Sequence, residues 1–208
     1  LAGISHDLKT YLTRIKLQIA LFENQEKTKS LDEDITDMLN IVNDFIEYSK
    51  SEDYAIEMKS KINLHDMLNS IALKYAKTTL KITLDVNKKI DINTGEKSIR
   101  RCFLNIIDNS FKYATELRIS AEKHKNTIDI IFEDNGPGID KKYYEDVFKP
   151  FFKVDNSRSL NKSGSGLGLA ITKNILKSQN GTITISKSPK LKGLMIKITL
   201  TPGARGGT

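Results

Sequence analysis

At 208 residues the chain is long enough for one or two domains with cores of their own, and 38% hydrophobic and 28% charged residues are the proportions of a globular protein. A single cysteine, Cys102, excludes an internal disulfide, and no apolar run approaches the about 18 residues of a membrane helix. The net charge of +7 comes from lysines scattered along the chain, which suits acidic partners and polyphosphate ligands better than nucleic acid.

Residues 1–26 read as a first long helix, with Leu8, Leu12, Ile15, Ile19 and Phe22 on one side. The pattern is already running at Leu1 and no signal peptide precedes it, so the chain reads as cut from something longer. At about 100° per residue, His6 falls roughly 160° from the centre of that stripe, on the exposed side that Thr10 shares. The polar run Asn24–Lys29 breaks the pattern, and Ser30 or Asp32 is the expected cap of a second helix bearing Leu31, Ile35, Met38, Val42 and Phe45. Two such helices make an antiparallel hairpin with too little core to stand alone. Its wide apolar faces predict dimerisation into a four-helix bundle, or else packing on the rest of the chain.

After Ser51-Glu52-Asp53 the period changes. Lys59–Leu64 alternates like a strand, and His65–Tyr75 is helical. Lys81–Val86 and Lys89–Ile92 read as short strands, and Glu96–Tyr113 as a strong helix. Leu117–Glu122 and Thr127–Asp134 read as strands, Leu169–Ser178 as a helix, and Thr182–Ser188 with Leu194–Leu200 as a final strand pair. Cys102 falls in Arg101-Cys102-Phe103-Leu104, a helix-core setting that argues against a catalytic thiol. The expected class is α+β: a helical hairpin at 1–52, an α/β sandwich with helices on one face of a mixed sheet at 53–201, and a Pro/Gly-rich disordered tail at 202–208.

Three stretches of the second unit carry ligand chemistry. Asn105 and Asn109, four apart, project from one side of a helix, with Lys112 one turn on. Amide oxygens are hard, neutral ligands suited to Mg²⁺, and an ammonium suits phosphate; a plain polar helix face is the other reading. In Asp134-Asn135-Gly136-Pro137-Gly138-Ile139 the glycines admit close backbone approach to a flat ligand, and Asp134 can accept a hydrogen bond from an exocyclic amine such as that of adenine. A hairpin turn is the competing reading, weakened by Pro137 and by the helical pattern that follows. Gly164-Ser165-Gly166-Leu167-Gly168-Leu169 opens a helix, and glycines there present backbone N–H groups to phosphate. The polar loop ahead of it, and the Gly-x-Gly-x-Gly spacing, argue against a dinucleotide fold. Walker-type Gly-Lys-Ser/Thr and zinc-type spacings are absent. The aromatic patch Val147–Phe152 anchors a mobile lid or packs in the core.

Taken together, these stretches resemble the cytoplasmic core of a sensor histidine kinase of a two-component system, from Ile4 to Leu200. Ser5-His6-Asp7-Leu8-Lys9-Thr10 is similar to the H box, Asn105–Tyr113 to the N box, Asp134–Ile139 to the G1 box, Phe148–Phe152 to the F box and Gly164–Leu169 to the G2 box. The H-box run, the short hairpin and Asp44-Phe45-Ile46-Glu47-Tyr48 look most like EnvZ-type osmosensor kinases. The resemblance implies that His6 accepts the phosphoryl group, with Asp7 as the acidic neighbour that makes its imidazole a better nucleophile. It implies that Thr10 orients the water that dephosphorylates the partner regulator.

It implies further that Asn109 with Asn105 holds Mg²⁺, that Lys112 and Tyr113 contact phosphate or adenosine, and that Asp134 reads adenine. Gly164, Gly166 and Gly168 would run along the phosphates and Arg158 would reach them from a lid. Gly136, Gly138, Ile139, Lys153, Ser165, Leu167 and Leu169 would complete the ATP site. The implied partners are a second copy through residues 1–52 and a response-regulator receiver domain, with no nucleic acid. The implied location is the cytoplasmic side of an inner-membrane protein whose sensor and membrane segment lie upstream. Tyr11 stands where the family carries proline, which leaves helix 1 straighter beside His6. Two alternatives stay open: an ATPase of the gyrase/Hsp90 superfamily, and an inactive dimeric docking module. The ATPases use a glutamate at the place of Asn105 as general base, a role an amide cannot fill.

Overall fold

Ile128, Ile130 and Phe132 are buried in strand β5 (Ile128–Asp134), while Asp129 and Ile131 between them are only partly covered. This period-two alternation places one face of the sheet on a core and leaves the other polar. The computed structural model describes residues 12–17, 19, 25–50, 57–154 and 164–201.

The main sheet has five strands in the order β2 (Lys81–Asp85), β4 (Glu116–Lys123), β5, β7 (Leu194–Leu200), β6 (Gly181–Lys187). β2 pairs with β4 in parallel and every other pair is antiparallel. Strands β1 (Lys59–Asn63) and β3 (Asp91–Gly95) form a separate antiparallel pair. Helices α3 (Leu64–Ala72), α4 (Glu96–Tyr113) and α5 (Gly168–Ser178) supply Leu68, Ile71, Phe103, Ile107, Ile171 and Ile175 to one buried cluster with the inward side chains of the sheet. Phe103 and Phe132 meet there with ring centroids 5.7 Å apart. Cys102 lies in this core and burial pushes its thiol up, as its setting in the sequence predicts.

Local chemistry sets the element ends. Asn63 caps α3 by accepting from the Asp66 N–H at 3.0 Å. Asn180, with φ of 58°, turns the chain out of α5 in the left-handed region that asparagine tolerates. α4 starts at Gly95, which has no capping side chain; Glu57 supplies one, accepting from the Lys97 and Ser98 N–H groups at 2.8 and 3.1 Å and from the Ser98 hydroxyl. Burial pushes the Glu57 carboxyl up, but the Ser98 and Lys97 hydrogen bonds outweigh it and hold the group below its ordinary value.

Helix α1, described at residues 12–17 and 19, lies beside α2 (Gln25–Ser49). Leu12 and Ile19 are buried with Ile35 and Val42, and Lys16 donates to the Thr36 hydroxyl at 2.7 Å. Ile15, Leu17, Leu31, Met38 and Ile41 remain exposed on the same hairpin. The C-terminal part of α2 turns to the second unit, where Phe45 and Tyr48 meet the main core.

Two expectations are corrected. The second helix is under way at Gln25, so Ser30 and Asp32 lie inside it and not at its start. Gln25, Glu26, Lys27 and Lys29 are good helix formers, and polarity without glycine or proline does not stop a helix. The strand expected at Lys89–Ile92 is Asp91–Gly95. Asn87 accepts from the Lys89 N–H through its side chain at 2.9 Å and from the Ile90 N–H through its carbonyl at 3.1 Å, and this turn delays the strand.

Candidate functional site

The C-terminal turn of α4 is where the three stretches meet. Asn105 is buried, and its amide nitrogen donates to the Gly168 carbonyl at 3.0 Å and the Thr172 hydroxyl at 3.3 Å. It therefore clamps α4 to the first turn of α5. Asn109, one turn on, is half-buried. Lys112 is exposed, and its Nζ would lie 3.2 Å from a Cβ placed on Gly164. Thus the lysine end of the N-box stretch borders the start of the second glycine loop.

Asp134 closes β5 and is nearly buried. Its Oδ1 accepts from the Gly136 N–H at 2.9 Å and the Leu194 N–H at 3.0 Å, and its carbonyl accepts from the Gly193 N–H at 3.1 Å. Among the described residues, Oδ2 receives only the buried Ser110 hydroxyl, at 3.4 Å. One carboxylate oxygen is thus spent on shape, and the other faces the end of α4 with acceptor capacity to spare. A Cβ on Gly136 would come within 3.0 Å of the Tyr113 carbonyl, so the loop runs against the end of α4 where a side chain would not fit. Gly138 has φ of 71°, and Ile139 beside it is half-buried.

In the second loop Gly166 has φ of 72°, and a Cβ there would meet Phe151 backbone atoms at 2.9 to 3.0 Å. The Phe151 N–H donates to the Gly166 carbonyl at 3.0 Å. Leu167 is fully buried, Leu169 half-buried, and Ser165 accepts from the Leu167 N–H at 3.1 Å. The aromatic patch divides its work. Val147 is core, Phe152 meets Tyr143 at 5.8 Å, and Phe151 points outward to Phe45 of α2 at 6.4 Å. Lys153 is exposed. His6, Asp7, Thr10, Tyr11 and Arg158 lie outside the described residues, as does the tail from residue 202.

Several residues shape this site through contacts that the sequence does not announce. Asn135 accepts from the Thr115 and Glu116 N–H groups at 3.0 and 2.9 Å and donates to the Thr115 hydroxyl, tying the first loop to the start of β4. Ser110, Gly193 and Leu194 fix Asp134, and Thr172 fixes Asn105. Each acts across the fold, where local spacing says nothing.

Residues 94–204 match the family described as histidine kinase-, DNA gyrase B- and HSP90-like ATPases, more than half of the chain. The chain belongs to that family. Residues 1–53 match the His kinase A (phospho-acceptor) domain, and the two in this order make a histidine kinase core. Among curated relatives, the signal transduction histidine-protein kinase BaeS of Escherichia coli is 27% identical over 96% of this chain and 46% of its own length. The sensor protein kinase WalK of Staphylococcus aureus is 31% identical over 96% of this chain and 36% of its own. The chain therefore spans less than half of these relatives. The full-length ShkA structure in complex with AMPPNP shares the fold, with a TM-score of 0.80 over 98% of this chain and 46% of that one, at 21% identity.

Proposed function

We propose that the chain is the catalytic core of a two-component sensor histidine kinase: it phosphorylates His6 with ATP and passes the group to an aspartate of a response-regulator receiver domain. The convergence on the end of α4 carries this reading. Gly136 runs against the Tyr113 carbonyl, Gly164 borders the Lys112 ammonium, and Gly168 is bound to Asn105. Three separate stretches thereby meet along the C-terminal turns of α4, with the Asp134 carboxylate and the Lys112 ammonium among them. Asp134 Oδ2 takes the amino group of adenine, Lys112 meets phosphate, and the second loop runs beside it.

No cluster of carboxylates, imidazoles or thiolates suited to a metal occurs among the described residues. The Asn109 amide, one turn ahead of Lys112 on α4, is a hard neutral donor that would hold Mg²⁺, with Asn105 one turn before it. When bound, that ion would offset phosphate charge. Asn105 supports a kinase over the gyrase/Hsp90-type ATPase. Its amide is committed to Gly168 and Thr172 and has no proton-accepting basicity for water.

In the transfer, a ring nitrogen of His6 forms the N–P bond while the bond from the γ-phosphorus to the bridging oxygen breaks, and ADP leaves. Asp7 makes the imidazole a better nucleophile, and Thr10 serves a separate step, orienting the water that attacks the regulator's aspartyl phosphate and releases inorganic phosphate. The exposed Ile15, Leu17, Leu31, Met38 and Ile41 fit a second copy, closing the hairpin into a four-helix bundle through residues 1–52. Among the described residues no helix is long and apolar enough to cross a membrane; the reading places this unit on the cytoplasmic side of an inner-membrane receptor. The EnvZ-type assignment rests on Ser5–Ile15 and Asp44–Tyr48, and preferential transfer to the regulator of an osmosensing system is its test. The central test is His6→Gln with radiolabelled ATP. The wild type gains an acid-labile, base-stable label and the variant gains none; equal labelling removes the reading.

A further inference from the structure

Asp44 and Phe45 belong to none of the nucleotide chemistry above, yet they reach straight into it from α2. Asp44 Oδ2 accepts from the Ser165 hydroxyl at 2.6 Å, and Oδ1 accepts from Arg101 of α4 at 2.7 Å. Phe45 stacks on Phe151 with ring planes 26° apart. Phe151 is itself bonded to Gly166, so the aromatic and the carboxylate contacts grip the same loop.

A serine hydroxyl has one proton to donate. In this arrangement Ser165 gives it to Asp44, and its oxygen takes the Leu167 N–H. Both donors are therefore withheld from any anion that enters the loop. A carboxylate also stands at the loop, where it opposes a triphosphate by charge. Docking carries a cost as well. Arg101 Nε is buried without a hydrogen-bond partner among the described residues, although Glu47 Oε2 lies 3.9 Å away.

We propose that Asp44 is a built-in competitor for the nucleotide's phosphates: α2 latches the second glycine loop through Ser165, and Mg-ATP and the latch displace one another. The proposal rests on the nucleotide reading above. It gives ATP binding a direct mechanical consequence, release of α2 and with it the phospho-accepting hairpin. By linkage, each event weakens the other by the same factor.

The chain has no tryptophan, so Phe45→Trp places a single indole, excited apart from the tyrosines, on the Phe151 ring. Saturating Mg-ATP, followed in parallel by calorimetry, is expected to shift its emission to the red as the ring leaves the stack. Asp44→Ala is expected to bind Mg-ATP about fivefold tighter or more, within the range of measured couplings, and in the Asp44→Ala/Phe45→Trp protein the emission is already red-shifted without nucleotide. Equal or weaker affinity in Asp44→Ala, or saturation of the Phe45→Trp protein without any change in indole emission, overturns the latch and leaves the nucleotide site standing. No saturable heat with either protein overturns the nucleotide reading itself, and the competition with it.

Discussion

In the loop that follows β5, every support among the described residues comes from the α/β unit itself. Gly136 and Leu194 donate to Asp134, Gly193 donates to its carbonyl, and Asn135 binds the start of β4. In the loop that opens α5, the inner support is Asn105 on Gly168 and the outer support is Asp44 on Ser165, from a helix of the other unit. The two loops look alike in the sequence, as glycines in polar company. Their anchoring separates them into a fixed end that sets where a base would lie and a movable end that α2 can hold or let go. A reaction between sites on two units needs both properties.

The largest expected effect breaks the fixed end. A Cβ on Gly193 would lie 2.5 Å from the Asp134 carbonyl, from Asp134 Oδ1 and from the Gly136 nitrogen. Two of the three are backbone atoms, and the third is the carboxylate oxygen that the Gly136 and Leu194 N–H groups hold, so relief needs the loop itself to move. Gly193→Ala is expected to cost about 3 kcal/mol, the upper range of overpacking in a filled site, and to abolish measurable Mg-ATP binding at temperatures where the protein is still folded. Urea unfolding with a nucleotide titration checks both. A variant of wild-type stability would mean that the hairpin between β6 and β7 does not brace Asp134.

What could be read in advance follows from the range of the forces involved. α4 at Glu96–Tyr113 and β7 at Leu194–Leu200 coincide with their expected bounds, because burial against one core imposes a period on consecutive residues. β3 is displaced because one asparagine side chain makes a turn ahead of it, and α2 begins early because charge alone does not end a helix. The three glycine- and asparagine-rich stretches of the candidate site are visible because each concentrates its special residues locally. Their braces are not: Asp44 and Ser165 are 121 residues apart, and Asn105 and Thr172 are 67 apart. In neither case do the residues around one partner announce the other.

A smaller effect tests the outer supports at the other end of α4. Glu57, from the segment that follows α2, caps that helix in place of a local residue. Its carboxyl titrates lower folded than unfolded, so between the two values the unfolded chain binds more protons. The stabilisation is complete above the ordinary glutamate range and is lost as pH falls through the lowered folded value. Glu57→Gln is expected to cost about 1 kcal/mol near neutrality, as for loss of an N-cap, and to flatten the acid limb of the stability curve. Thermal melts of both proteins across that limb decide it. Parallel limbs would place the acid sensitivity in other carboxylates.

The smallest expected effect sharpens the movable end. Gly168 looks as indispensable as Gly166 in the sequence, but their surroundings differ. Gly166 has φ of 72° and Phe151 backbone 2.9 Å from a Cβ; Gly168 has no such φ, and its nearest contact would be Asn105 Cγ at 3.6 Å, an ordinary van der Waals distance. Gly168 is also the first residue of α5, where alanine favours the helix by up to about 1 kcal/mol. Gly168→Ala is therefore expected to melt at or slightly above the wild-type temperature. If its Mg-ATP affinity nevertheless falls, the lost term belongs to approach of phosphate along the loop, because the fold has given up nothing. A drop of several degrees in melting temperature would instead show that Asn105 needs the bare backbone to make its clamp, and would move Gly168 from the movable end to the fixed one.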